Sequence, residues 1–272
     1  MHRRTGLRSP RSLVKERRRR ARQVTLIALL SLGGVVGLIV LFNMSYFRLN
    51  RIQIAGVEGA VAEEIGRVGE RELAGAYLGI IPKSHPFFYP KGAMAKRILG
   101  QFPEFAGVAV SSQGAGALLV SVTERQPVAL WCEREECLYL DATGVAFREA
   151  PGEAEGLYYT LTSSEEPSPA FPGTPVVEAD RLKTLLAFLT ELEDLGLFPT
   201  TAHLLADTEI EVGLRNGSRL LIQETDGYET ALRRLRLLLR EPGLVPRQGE
   251  TNDLGVDYID LRYGNKVYFK PR

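Results

Sequence analysis

Residues 24–42 read VTLIALLSLGGVVGLIVLF, nineteen positions without a charge, and their reading decides where the rest of the chain belongs. At about 1.5 Å of rise per residue a helix of this length is roughly 28 Å long, close to a bilayer hydrocarbon core of about 30 Å. A core helix of a soluble domain keeps a polar face, which this run lacks. A cleaved signal peptide is the closer rival, but its apolar stretch runs about 7–15 residues and ends at a small-residue cleavage site. This run is longer and leads into Asn43-Met44-Ser45-Tyr46-Phe47 without an A-x-A-like site. The expectation is one retained transmembrane helix at 24–42.

Ten Lys or Arg residues and the single acid Glu16 precede residue 24, a net charge of +9; with the chain at +1, residues 43–272 carry −8. Lys and Arg hold a flank on the cytoplasmic side. Residues 1–23 are therefore predicted to be a basic cytoplasmic tail, with the acidic body on the other side. The tail has too few apolar residues for a core of its own, and its basic run suits anionic headgroups. Nucleic-acid binding would want aromatic or folded readout elements beside the charge, so no nucleic-acid partner is expected.

The body is long enough for one or two domains. Residues 51–55 alternate into Gly56 and read as a strand. Helical spacing follows at 61–69, with 71–78 extending it or opening a second turn. Residues 82–90 then hold three prolines and the triplet Phe87-Phe88-Tyr89, which helix cannot cross. Burial of these aromatics is the expectation; an exposed sticky loop near the membrane is the alternative. A helix at 92–101 is stopped by Pro103. Strands at 108–111 and 118–123 follow, the second with Leu118, Val120 and Val122 on one face. Gly114-Ala115-Gly116 lies between two strands and reads as a hairpin turn, since a nucleotide loop would open a helix.

Cys132 and Cys137 are the two cysteines. If 128–131 and 138–140 are paired strands, the loop sets these residues opposite each other, and an oxidising compartment would bridge them. A metal site needs two more ligands, and His2, His85 and His203 are scattered, so no metal is expected. Asp141 to Gly144 reads as a turn. Residues 163–175, with four prolines, read as a loop within a domain. A leucine stripe (Leu182, Leu185, Leu186, Leu189, Leu192) marks a helix capped by Asp180 and ended by Gly196. Alternation at 210–214 meets Asn216-Gly217 and then 220–222, a hairpin of ambiguous register. Another helix begins near Asp226, with Glu229 completing a capping box, and buries Tyr228, Ala231, Leu232, Leu235, Leu238 and Leu239. Arg233, Arg236 and Arg240 form a solvated basic face, and Pro242-Gly243 ends the helix. Two last strands meet at Gly264-Asn265.

The order strand, helix, helix, strand, strand directly after a bitopic anchor ends in Val-Ser-Val-Thr-Glu-Arg-Gln-Pro-Val-Ala-Leu-Trp at 120–131. This resembles the POTRA domain of the bacterial cell-division family FtsQ, called DivIB in Gram-positive species. There the last POTRA strand runs into a Glu-Arg-x-Pro-Val-Ala turn towards a tryptophan, and Glu124, Arg125, Pro127, Val128, Ala129 and Trp131 match it. Residues 138–147, an Asp and Gly turn followed by an aromatic, and 259–263, Ile-Asp-Leu-Arg-Tyr, are similar to two further family signatures. The resemblance implies an α+β chain with a basic tail at 1–23, a transmembrane helix at 24–42, a POTRA domain at 47–125 and a mixed α/β domain with an extended antiparallel sheet at 126–272. The segment 82–90 departs from the simpler helix connection of the family.

No constellation for chemistry is present: no H-E-x-x-H, no G-x-S-x-G and no phosphate loop. The expectation is a non-enzymatic scaffold without cofactor or small-molecule substrate. The resemblance implies a divisome component of the inner membrane, enriched at the septum, that recruits FtsB- and FtsL-type partners. Another POTRA-bearing protein of envelope assembly or secretion, or a membrane-anchored envelope hydrolase, is the alternative. Two surfaces are candidates for partners. One is the junction at Glu124 and Arg125, whose rival reading is a salt bridge that fixes the angle between the two expected domains. The other is the C-terminal strand with Lys266, Val267, Tyr268 and Phe269, beside Tyr263, which matches the tyrosine of the family's contact surface. A strand at a sheet edge can accept another strand, although Val267 and Phe269 would also pack inward.

Overall fold

In the computed structural model the apolar run lies within one helix, α1 (Pro10–Asn43). The structure describes residues 10–43, 48–114, 116–134, 136–164, 170–205, 208–240, 247–248, 253–264 and 266–272. The helix starts well before residue 24 and takes in Arg17 to Arg20, because Arg and Ala are good helix formers and prolong a helix already nucleated. Within Arg17–Val40 it holds an 18-residue stretch apolar enough to cross a bilayer, with a mean hydropathy of 2.2 and none of it buried against the chain. That exposure removes the reading as a core helix. Residues 1–9 of the tail, the Pro242-Gly243 stop, Ala115 and Asn265 lie outside the described residues.

Two compact units follow from the contacts, Met1–Ile98 with Val108–Val122, and Leu99–Gly107 with Thr123–Arg272. The first carries β1 (Arg51–Ala55), α2 (Gly59–Leu73), the small hairpin β2 (Ala76–Tyr77) and β3 (Ile81–Pro82), and most of α3 (Lys91–Gln101), β4 (Phe105–Gln113) and β5 (Ala117–Glu124), whose ends fall in the second. Its three-stranded sheet has the order β1-β5-β4, with β1 parallel to β5. Leu118, Val120 and Val122 are buried on one face of β5, as their alternation predicts, and the helices bury Ile65, Val68, Met94 and Ile98. Gly69 lets α2 approach β1: a Cβ there would lie 2.8 Å from Ile52 Cδ1.

The aromatics of 82–90 depart from expectation. Phe87 is 80% exposed and Phe88 42%, whereas His85 is buried at 2%. Successive turns, His85 N–H to the Pro82 carbonyl and Phe88 N–H to the His85 carbonyl, carry the imidazole inward and leave the side chains of Phe87 and Phe88 outside. His85 Nδ1 accepts the Phe87 N–H at 3.3 Å, and burial lowers the pKa of the ring.

The second unit is built on a ten-stranded sheet. Its strands are β6 (Pro127–Glu133), β7 (Glu136–Asp141), β8 (Val145–Glu149), β9 (Thr160–Ser163), β10 (Thr174–Pro175), β11 (Pro199–Leu204), β12 (Glu209–Leu214), β13 (Arg219–Gln223), β16 (Val256–Asp260) and β17 (Tyr268–Pro271); β14 (Arg247–Gln248) and β15 (Asp253–Leu254) pair separately. The order is β10-β8-β7-β6-β9-β11-β12-β13-β16-β17, so β17 is an edge. Three joins are parallel, β6 with β9, β9 with β11 and β13 with β16, which makes the sheet mixed. The hairpin at Asn216-Gly217 sets Val212 opposite Leu220 and Ile210 opposite Ile222, all four buried, which resolves the ambiguous register.

Helices α4 (Ala179–Asp194) and α5 (Tyr228–Arg240) pack on each other, with the rings of Phe188 and Tyr228 stacked at 4.8 Å. Leu182, Leu185, Leu189 and Leu192 are buried in the core, as the stripe predicts. The cap of α4 is Glu178 instead of Asp180: its carboxylate accepts the N–H groups of Asp180 and Arg181. Gly196 closes the helix at φ +75°, with Leu197 N–H returning to the Leu192 carbonyl at 3.0 Å. The expected capping box at α5 does not form, because Glu224–Asp226 makes a separate 3₁₀ turn and Asp226 pairs with Arg234 at 3.1 Å.

Candidate partner-binding surface

The C-terminal edge is assembled from β16 outward. Leu261 N–H bonds to the Leu221 carbonyl of β13, so along β16 the alternate residues Asp260 and Tyr258 turn their backbone groups towards β17. Their register partners are Tyr268 and Lys270. By the same alternation Phe269 turns its N–H and C=O away from the sheet, and so does the carbonyl of Pro271, which has no N–H to offer. The open edge is short and proline-ended. Val267 and Phe269 are partly buried against the core, while Lys266 is exposed and Lys270 pairs with Asp257 at 2.8 Å.

Beside this edge stand Tyr263, 56% exposed, and Tyr268, 49% exposed, their rings edge to face at 5.5 Å. They are held from beneath. Asp260 is buried and takes three bonds from Arg262, at 2.7 Å from Nη2, 2.9 Å from Nε and 3.1 Å from the backbone N–H. Arg262 also pairs with Glu209 of β12, and its guanidinium lies 5.6 Å from the Tyr263 ring. The hydrogen bonds that Arg262 donates to Asp260 first, and then to Glu209, raise its pKa and hold it as a cation. An aromatic pair on a fixed cation is rigid, amphipathic and half in water, the usual character of a contact anchor.

Glu124 and Arg125 lie elsewhere. Arg125 enters next to β6, six strands from β17 and so roughly 29 Å away along the sheet at about 4.8 Å per strand. Glu124 is exposed. Arg125 is drawn inward: its guanidinium pairs with Asp141, Nε donates to the Pro103 carbonyl at 3.0 Å, and its N–H bonds to the Glu104 carbonyl at 2.8 Å. Asp141 in turn accepts the N–H groups of Thr143 at 2.9 Å and Val145 at 3.0 Å. Burial works to raise the carboxyl pKa, but the bonds from Val145, Thr143 and Arg125 outweigh it, and the net shift is downward. The Glu-Arg-x-Pro and Asp-x-x-Gly motifs are thus one ion-paired turn. Arg125 belongs to that turn, which leaves Glu124 as the accessible residue of the pair.

Cys132 and Cys137 face each other in the β6–β7 register and are joined by a disulfide, Cα atoms 4.1 Å apart. Sequence reasoning missed β9 and β11, where His203 Nδ1 meets Thr162 Oγ1 at 2.5 Å, and the ion pairs of Glu224 with Arg181 and Glu209 with Arg262. Among the described residues no group of three or more His, Cys, Asp or Glu side chains is placed to hold a metal ion.

No protein-family model matches the chain. Cell division protein FtsQ of Dinoroseobacter shibae is similar to it, with 28% identity over 204 residues, 72% of this chain and 62% of FtsQ. The chain therefore spans less than two thirds of the length of that curated relative. The similarity supports the resemblance to the FtsQ/DivIB family.

Proposed function

We propose that this chain is a single-pass, non-enzymatic scaffold of the bacterial division complex, which captures an FtsB-type partner, and through it an FtsL-type partner, at the β17 edge. The observation that carries the reading is that edge: outward backbone groups at Phe269 beside the exposed pair Tyr263 and Tyr268. An incoming strand would bond to the N–H and C=O of Phe269 and lay its side chains on the tyrosines. Lys266 and the proline-ended strand discourage the same edge from pairing with a second copy of itself.

Tyr263→Ala is expected to weaken capture of an FtsB-type protein by the full chain about thirty-fold, the loss of a contact anchor worth about 2 kcal/mol. Stability should stay within about 0.5 kcal/mol, since the ring is half in water. Wild-type capture by a folded Tyr263→Ala chain in a quantitative pull-down would refute this placement. Proline at Tyr268 is no substitute for that test, because the Tyr268 N–H faces β16 and its loss would unpair the strand.

The orientation we propose, basic tail in the cytoplasm and residues 43–272 outside, is supported by the +9 flank and by a disulfide that the cytoplasm would keep reduced. In protein taken from its native compartment, both cysteines should resist alkylation until reductant is added. Labelling of both without reduction would reverse the assignment. Replacing both by serine should cost only about 2 kcal/mol, because the closed ring is short.

A further inference from the structure

We propose that the β2–β3 hairpin and the turn after it insert into the bilayer face at which α1 ends, giving the first unit a peripheral hold on lipid. The premise is that α1 crosses the membrane. One hydrogen bond fixes the level of the segment, Asn43 Nδ2 donating to the Ile80 carbonyl at 2.9 Å, and Leu49 N–H, donating to the Ser84 carbonyl at 2.7 Å, ties the turn after β3 to the chain ahead of β1. Asn43 is the first residue after the apolar run, so Ile80 sits where hydrocarbon gives way to headgroups. Leu78, two residues away, reaches at most about 7 Å from there, within an interfacial layer of about 5–8 Å.

The side chains suit that layer. Leu78 is 96% exposed, Phe87 80%, Ile80 45% and Tyr77 39%. Residues 73–91 contain no acid, and Lys83, its ammonium 6.0 Å from the Tyr77 ring, supplies a cation for a headgroup phosphate. The turn itself runs against local preference. Leu78 at φ +50° and Gly79 at φ +72°, with Ile80 N–H on the Tyr77 carbonyl at 3.0 Å, form a tight hairpin turn whose first central position favours Asn, Asp or Gly. An almost fully exposed leucine in a left-handed conformation gains nothing in water; in the acyl boundary it gains burial.

The test uses the full chain in phosphatidylcholine–phosphatidylglycerol vesicles, with Leu78→Cys carrying an environment-sensitive dye and nitroxides placed shallow or deep on the lipid chains. A second label at Leu32→Cys reports α1. The shallow nitroxide should quench the Leu78 dye about threefold more than in the same chain with Ile80→Asp and Phe87→Asp, as for an apolar surface seated in the interface. The deep nitroxide should quench the Leu32 dye in both chains. Equal Leu78 quenching in the two chains overturns the insertion. So does energy transfer between labelled copies in place of lipid quenching, which would make the patch a self-association surface. Loss of quenching at Leu32 as well would remove the span, and the insertion with it.

Discussion

Arg125→Ala is expected to lower the stability of the second unit by about 3–5 kcal/mol, because it strands the Asp141 carboxylate in a buried site without its cation. The side chains of Arg125 and Asp141 retain only 16% and 6% of their exposure, so solvent cannot take over the missing charge. Trp131, the one tryptophan of the chain and itself buried, reports this unit by its fluorescence during denaturation. Asp141 also sets a pH dependence. Its folded pKa is depressed, so its contribution is present above the ordinary carboxylate value of about 3.9 and is lost as pH falls through the lower folded value. Wild type should therefore weaken in acid below about pH 4, while Arg125→Ala should lose less there, having less of that contribution left. Glu124→Ala should fall within about 0.5 kcal/mol of wild type at every pH. An Arg125→Ala transition that overlays wild type at pH 7 would show that the ion pair does not hold the turn. A charge reversal at Arg125 mixes folding with recruitment, so any recruitment role of the junction is tested cleanly at Glu124.

What the sequence made legible was what a single element decides for itself. The exposure of α1 follows from its unbroken apolar run, and the alternation of β5 and β12 and the leucine stripe of α4 from a periodicity within one segment; each is found in the structure. What depended on a distant partner was not legible. β9 and β11 join in parallel at 160–163 and 201–204, and neither short polar-rich run announces the other. The α4 cap moved to Glu178 because Glu, though a weak capping type, reached two N–H groups while Asp180 joined the first turn. Phe87 and Phe88 were expected inside on the burial statistics of their residue type, yet adjacent turns at His85 and Phe88 fixed which side chain went in. At the candidate site, the sequence offers a last strand from Lys266 to Lys270, whereas β17 runs Tyr268–Pro271 and leaves Lys266 and Val267 ahead of it. The Glu209–Arg262–Asp260 support beneath Tyr263 and Tyr268 could not be read from the sequence, since Glu209 lies more than fifty positions away.

Gly144→Ala is expected to destabilise the same turn by about 3–5 kcal/mol, through two costs that add. Gly144 sits at φ +79°, where a side chain costs roughly 1–2 kcal/mol by crowding the following carbonyl. The larger cost is steric. A Cβ there would lie 1.8 Å from the Val177 carbonyl oxygen, a backbone atom that cannot swing aside as a flexible side-chain end could. Relief requires the 176–177 backbone to retreat, which stretches the Val176 N–H bond to the Gly144 carbonyl, 2.9 Å in the native turn, and pulls Val177 from the core. Because α4 begins at Ala179, two residues on, the retreat also disturbs the segment that leads into the helix and its Glu178 cap. Gly152→Ala is the matched control: nothing lies within 4 Å of its Cβ, and it should change stability by less than about 0.5 kcal/mol. Measured by the Trp131 transition, equal midpoints for Gly144→Ala and Gly152→Ala would mean that the chain at 176–177 does not pack on this turn. A Gly144→Ala loss as large as that of Arg125→Ala would instead identify the Asp141–Gly144 turn as the joint on which β7, β8 and the entry to α4 all depend.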